Sequence, residues 1–251
     1  MHLYFKGRHR FWSFFMRFIL LFLLILGIGG LAEKIQAESL YTLDFSQAEG
    51  DPVEWFEARG WEEKEDMDGM NPRFEKDRLV IEPKAALAGV FTKNFVDGAE
   101  QIKKVRRIRI EWGVEQYPEG ADWSGPVDQK RNAREPISVM VFFGEEGQDS
   151  GSMFVPDIPY FLAFFLGEKE RPGISYRGNY WQKGGRYFCI SCDGSIGDFV
   201  TESELTSLFK AEFGMEPPPI SGIAIEVDVS YTMFSNGRHS KAYLKKIELL
   251  P

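Results

Sequence analysis

Cysteine and histidine are scarce in this chain of 251 residues: it holds two Cys and three His, and His2 and His9 fall within the first ten positions. So few thiols exclude a disulfide-stapled scaffold. A structural zinc site takes four ligands, and beyond residue 37 only Cys189, Cys192 and His239 are on offer. Positive charge is short as well. Setting aside the first 37 residues, which carry five basic side chains and one acidic, 25 basic side chains face 37 acidic ones, a net charge of −12. Nucleic-acid binding needs a basic footprint to displace counterions from phosphate and is excluded on that ground. No Gly-x-Ser-x-Gly elbow accompanies His239, which counts against an α/β-hydrolase. Internal repeats and low-complexity tracts are missing too, and 43% hydrophobic with 27% charged residues is globular composition.

The one long apolar run stands at the start. Lys6, Arg8, Arg10 and Arg17 precede Phe18 to Ala32, a stretch without a polar side chain that ends in Gly27, Gly29 and Gly30. A basic beginning, an apolar middle and small residues make the layout of a secretory signal peptide, with cleavage after Ala37 preferred to Ala32. The alternative is an uncleaved anchor, because from Phe11 to Ala32 only Ser13 and Arg17 interrupt 22 residues, enough to span a bilayer. Either way the basic charges stay on the cytoplasmic side and the remainder crosses. The chain is therefore expected to divide into a signal peptide or membrane anchor over 1–37 and one exported domain over 38–251. The expected location is periplasmic or extracellular, or else inner-membrane anchored with the domain outside the cytoplasm.

From Glu38 onward the hydrophobic period is mostly two. Ile108, Ile110, Trp112 and Val114 alternate with Arg107, Arg109, Glu111 and Glu115, and Ile223, Ile225, Val227 and Val229 with Ala224, Glu226, Asp228 and Ser230. Each is a half-buried strand. Tyr41, Leu43 and Phe45 alternate likewise, and further strands are expected at 74–82, 87–93, 186–191 and 241–249. Two runs, Ile137 to Phe143 and Tyr160 to Leu166, are apolar on both faces and are expected to be central strands covered on each side. A single segment reads as helix: Thr201-Glu-Ser-Glu204 is a capping box, Val200 and Leu205 a hydrophobic staple, and Leu205, Leu208, Phe209 and Phe213 a stripe ending at Gly214. That helix, near 201–213, is expected to cover the outer face of one doubly apolar strand. Many strands, one covering helix and no βαβ alternation predict a mainly β, antiparallel jelly-roll-like sandwich. The aperiodic stretch Tyr117 to Pro136 is a long loop between two strands, of the kind that usually carries function.

The order of segments YPEGADW, ISVMVFF, FGMEPPPISGIAIEVDVSYT and SKAYLKKIEL resembles an exported bacterial family, domain of unknown function three thousand and forty-seven. The resemblance covers the chain from about Glu38 to the end and is most specific from Phe213 to Thr232. It implies an extracytoplasmic β-sandwich with a galactose-binding-like layout and supplies no activity.

Site chemistry has three candidates. Cys189-Ile-Ser-Cys192 follows a strand and enters a turn, so structural thiols and a local disulfide precede redox catalysis, which favours a thiol at a helix N-terminus. Carboxylate pairs such as Glu226 with Asp228, or Glu111 with Glu115, share strand faces as glycoside hydrolysis requires, although any solvated sheet looks the same. Tyr176, Arg177, Asn179, Tyr180 and Trp181 gather in one probable loop segment, and Asp122 and Trp123 in the long loop. Rings that pack on sugar C–H faces beside polar groups that replace water are the chemistry of a carbohydrate groove. The leading expectation is thus a non-enzymatic carbohydrate-type binding module of the cell envelope. An envelope protein-protein interaction or structural module is the alternative, and a glycan-acting hydrolase stands third. No catalytic residue and no cofactor is assigned. The acidic loop Asp193 to Asp198 offers oxygen ligands to Ca²⁺ without the EF-hand pattern. The partner is a glycan or an envelope protein, never nucleic acid, and a membrane only through an uncleaved N-terminal segment.

Overall fold

Period-two segments assemble into two facing sheets, numbered along the chain. The first has the order β11 (Gly197–Glu204), β6 (Arg107–Gln116), β13 (Lys241–Leu250), β4 (Arg78–Ile81), β3 (Pro72–Glu75), with β1 (Tyr41–Asp44) also paired to β13. The second runs β2 (Glu62–Glu65), β5 (Ala88–Asn94), β12 (Ile220–Asp228), β7 (Glu135–Gln148), β8 (Ile158–Phe165), β10 (Gly185–Cys189), β9 (Ser175–Tyr176). The protein is a mainly β sandwich of jelly-roll type, and among the described residues every strand pair is antiparallel except β8 with β10. The computed structural model describes residues 38–95, 100–124, 132–232 and 239–251. The segment expected to be a signal or anchor, the part of the long loop at 125–131 and the expected Asn236-Gly237 turn lie outside the described residues. Among the described residues no helix is long and apolar enough to cross a membrane.

The core fills the space between the sheets. Ile108, Ile110, Trp112 and Val114 of β6 meet a cluster containing Ile223, Ile225 and Val227 of β12 and Ile137, Val139 and Val141 of β7, all fully buried. Stacked sheets leave about 10 Å between backbones, and large side chains fill it. Small ones are required where the sheet is crowded. Gly113 lies where any Cβ would strike the Gly197 carbonyl and the Tyr243 ring. The expected strand at 74–82 is instead a hairpin, β3 with β4, turning at Lys76 with φ of 60°.

Among the described residues two α-helices flank the sheets. The first, α1 (Pro52–Glu57), was not evident in the hydrophobic pattern; Asp51 caps it by accepting from the Glu54 N–H at 3.0 Å, with Pro52 in the first turn. It buries Phe56, which stacks on Phe91 at 4.0 Å. The second, α2 (Leu205–Phe213), has its cap three residues later than the expected Thr201, and two structural reasons correct that expectation. Thr201 to Glu204 pair with Ile110 to Arg107 as the end of β11, and Thr201 is buried where its hydroxyl accepts the Trp112 Nε1–H at 2.9 Å. Glu204 is the true cap, accepting from the Ser207 N–H, while Val200 is exposed rather than stapled. The helix also packs on a different surface from the one expected. Phe209 and Phe213 meet Phe143 and Tyr160 of the main core, so the outer face of β7 and β8 is left for other groups to cover.

Candidate functional site

What covers that outer face defines the site. Met140, Phe161, Ala163, Phe165, Tyr187 and Ala224 form a second buried cluster with Trp123, Tyr176 and the two cysteines. The long loop brings Trp123 down onto Phe165 at 5.0 Å and Tyr187 at 4.5 Å between ring centres. Its backbone N–H donates to the buried Glu170 carboxylate at 3.3 Å, and its Nε1–H to the Arg134 carbonyl at 3.1 Å. The Asp122 N–H closes the same loop on the Asn132 carbonyl at 2.8 Å.

At the edge of this cluster lies a cavity of about 80 Å³, lined by Glu135, Glu226, Asp228, Arg134, Ala133, Tyr187, Trp123 and the segment Gly178 to Trp181. The strands explain why three carboxyl groups meet there. Glu226 and Asp228 stand two apart on β12 and share a face. Across the ladder Glu226 pairs with Ser138, and Asp228 with Glu135, so three steps on β7 match two on β12. That bulge contains Pro136, which has no N–H to give a regular ladder. The extra residue turns Glu135 to the same face as Ser138, where an unbroken strand would have sent it to the other.

Partners are few for so many acids. Asp228 Oδ1 lies 3.1 Å from Arg134 Nε and accepts from the Ser230 N–H and hydroxyl. Glu226 Oε2 accepts from the Ser138 hydroxyl at 3.2 Å. Glu135 is 2% exposed, and its Oε2 has no hydrogen-bond partner. Burial, and then the Asp228 charge, push the Glu226 carboxyl up to about 7 against the pull of Ser138 and Arg134. Burial and the charges of Glu226 and Asp228 hold Glu135 well above the carboxylate range, and burial raises Asp228 despite Arg134. Tyr187, which lines the same cavity, is raised by burial and by the same three carboxylates.

Of the loop residues expected to form a groove, Trp123, Asn179, Tyr180 and Trp181 come together at this cavity, whereas Asp122, Tyr176 and Arg177 do not line it. Asp122 is exposed and holds a turn through the Ser124 N–H. Arg177 is exposed. Tyr176 is buried, its hydroxyl accepting from the Arg171 N–H at 2.6 Å. Trp123, at 2% exposure, is core and offers no free face to a sugar. Trp181 adopts φ of 51° and donates from Nε1 to the Pro156 carbonyl at 2.9 Å, tying its loop to the β7–β8 connection. Tyr180 is 45% exposed and gives an open ring. Glu135 was not singled out by sequence; an acid before a proline at the head of an apolar run was its only signal.

The other expected chemistry sits elsewhere. Cys189 and Cys192 are joined as a disulfide with Cα atoms 5.8 Å apart. Asp193 uses its carboxylate on the Ser195 N–H in a turn, and among the described residues no group of three or more His, Cys, Asp or Glu is placed to hold a metal ion. Glu111 and Glu115 belong to surface ion pairs, with Arg109 at 2.8 Å and Arg78 at 2.7 Å. A larger cavity of about 270 Å³, lined by Phe143, Leu205 and Pro217 to Ile220, gathers no comparable set of acids.

No family model matches the chain. No curated protein matches it. Among solved structures it is similar to a carbohydrate esterase from Shiga toxin-encoding bacteriophage phi24B, with 11% identity and a TM-score of 0.37 over 85% of this chain and 98% of that one. It is also similar to the xyloglucanase domain of a type three effector from Sinorhizobium fredii, in complex with cellobiose, with 8% identity and a TM-score of 0.39 over 85% and 100%. An agarase shows 9% identity and a TM-score of 0.30 over 86% of this chain and 25% of its own. Likenesses this distant bear on no residue of the cavity.

Proposed function

We propose that the protein is an exported carbohydrate-binding module and that its ligand sits in the outer-face cavity. One observation carries the reading: acceptors able to take sugar hydroxyls, Glu135, Glu226 and Asp228, converge with the rings of Tyr180, Trp181 and Tyr187 in one cavity. The exposed ring of Tyr180 extends the cavity outward for a second sugar. The test is thermal unfolding of the protein against envelope and plant polysaccharide fragments. A ligand at about 100 times its Kd adds roughly 2.7 kcal/mol, and Tyr180→Ala should abolish that gain. A flat panel at millimolar concentration would overturn the reading.

A second reading, glycoside hydrolysis, is favoured by Glu226 alone, half protonated near neutrality and two residues from Asp228. An acid and a carboxylate flanking a bond are what such cleavage needs. Its test is release of reducing ends from a bound glycan, lost in Glu226→Gln; a bound but intact glycan would remove it.

A further inference from the structure

The charge balance of the cavity says something about the ligand that hydroxyl recognition leaves open. Three carboxyl groups line it with one guanidinium. Arg134 is already committed: Nε lies 3.1 Å from Asp228 and donates to the Ser230 carbonyl at 2.7 Å, and Nη1 donates to the Ala133 carbonyl. Among the described residues neither Glu135 nor Glu226 forms an ion pair; Glu135 lines the cavity with a side chain that is 98% buried, and its Oε2 has no hydrogen-bond partner. Glu65, on the adjoining edge strand β2, and Glu170, beneath Trp123, add negative potential from two other sides. A buried carboxylate without a counter-charge is held only by taking a proton or by meeting a cation.

The walls suit a cation as well. Ring faces of Trp and Tyr attract positive charge and lose little when water leaves, and Tyr187, Trp181 and Tyr180 are among the residues that line the cavity. A phosphate or uronate would meet three acids and be repelled. The cavity, at about 80 Å³, admits an ammonium and the edge of one ring, and a bulky acyl group on the nitrogen would crowd it.

We propose that the ligand carries a free primary ammonium group, so that the saccharide is an amino sugar, its nitrogen donating to the Glu135 and Glu226 carboxylates. This rests on the carbohydrate reading and narrows it to a substrate class. Glucosamine units in a de-N-acetylated glycan have this chemistry; N-acetylglucosamine and glucose units do not.

Calorimetric titration of the full chain near pH 7 with three disaccharides of one linkage tests it, because chitobiose, N,N′-diacetylchitobiose and cellobiose differ only in carrying an ammonium, an acetamide or a hydroxyl at C2. A simple alkylammonium serves as the sugar-free probe. Chitobiose is expected to bind at least about tenfold tighter than the other two, as charge-assisted bonds exceed neutral ones, and to weaken as salt is added. Glu135→Gln should erase most of that preference; Glu226→Gln provides a second variant if the first does not fold. Equal binding of all three disaccharides would overturn the amine assignment and leave the carbohydrate reading standing. An alkylammonium binding as tightly as chitobiose would keep the amine and remove the sugar. Silence from every probe would overturn both.

Discussion

Glu226→Gln offers a sharp test of the acid cavity because its effect on stability has a calculable sign and size. The Glu226 carboxyl is pushed from 4.5 to about 7 by burial and by Asp228. Its neighbours are Asp228 on its own strand, Ser138, Glu135 and Arg134 on the β7 side, Tyr187 from β10 and Glu65 from β2. The folded chain therefore keeps a proton that the unfolded chain releases above pH 4.5. Stability is fully present below that value and is lost as pH rises toward 7 and beyond. A shift of this size corresponds to roughly 3 kcal/mol, at about 1.4 kcal/mol per pH unit. Glu135 and Asp228 shift in the same direction, and they persist in the variant. Glutamine keeps the shape and can still accept the Ser138 hydroxyl, but it cannot ionise. Urea unfolding of the full chain, followed by tryptophan fluorescence at pH 5 and pH 8, measures the difference. Between these pH values the unmodified protein should lose up to about 3 kcal/mol more than Glu226→Gln, whose advantage appears only at the higher pH. Parallel pH dependence in the two proteins, or a variant weaker at pH 8, would refute the argument that the half-buried Glu226 lacks a compensating charge there.

Five further outcomes follow from contacts described above. Trp123→Ala should cost about 3–5 kcal/mol in chemical unfolding, since it empties the outer-face cluster, whereas Tyr180→Ala should change stability by less than about 0.5 kcal/mol while removing ligand binding. Gly113→Ala drives a methyl into the Gly197 carbonyl and the Tyr243 ring; a loss of about 1–3 kcal/mol in the same assay is expected. Replacing Cys189 and Cys192 together by Ser opens a short loop, and the chain-entropy argument gives a loss of about 2 kcal/mol. Thr201→Val leaves the buried Trp112 Nε1–H without its acceptor, at a cost of about 1–3 kcal/mol by thermal unfolding.

Much of the sandwich is legible because its strands obey a two-residue period with one wet face. Ile108 to Val114 and Ile223 to Val229 point inward as their alternation requires, and Ile137 to Phe143 and Tyr160 to Leu166 are central because both their faces are apolar. Legibility fails where pairing overrides local preference. Thr201-Glu-Ser-Glu204 has every mark of a helix start, yet its backbone completes the ladder to β6 and its threonine serves Trp112. Glu62 to Glu65 carries no apolar alternation at all, and it is a strand because β5 presents a free edge to it.

The site was half legible for a related reason. Aromatic type can be read from sequence, but whether a ring is platform or core depends on what lies beneath it, and beneath Trp123 lies Phe165. The outer faces of β7 and β8 are too apolar to stay wet, and α2 is occupied with Phe143 and Tyr160 on the inner side. Loop rings must then seal the outer face, and in doing so they strip water from Glu226 and Asp228, which alternation alone would have left solvated. Glu135 joins them through a bulge that no periodicity reveals. The residues that looked like a sugar platform are therefore what makes the carboxyls unusual. Under the amino-sugar proposal, a ligand for this cavity would be selected first by what it offers to Glu135 and Glu226, and only then by the face it lays on Tyr180.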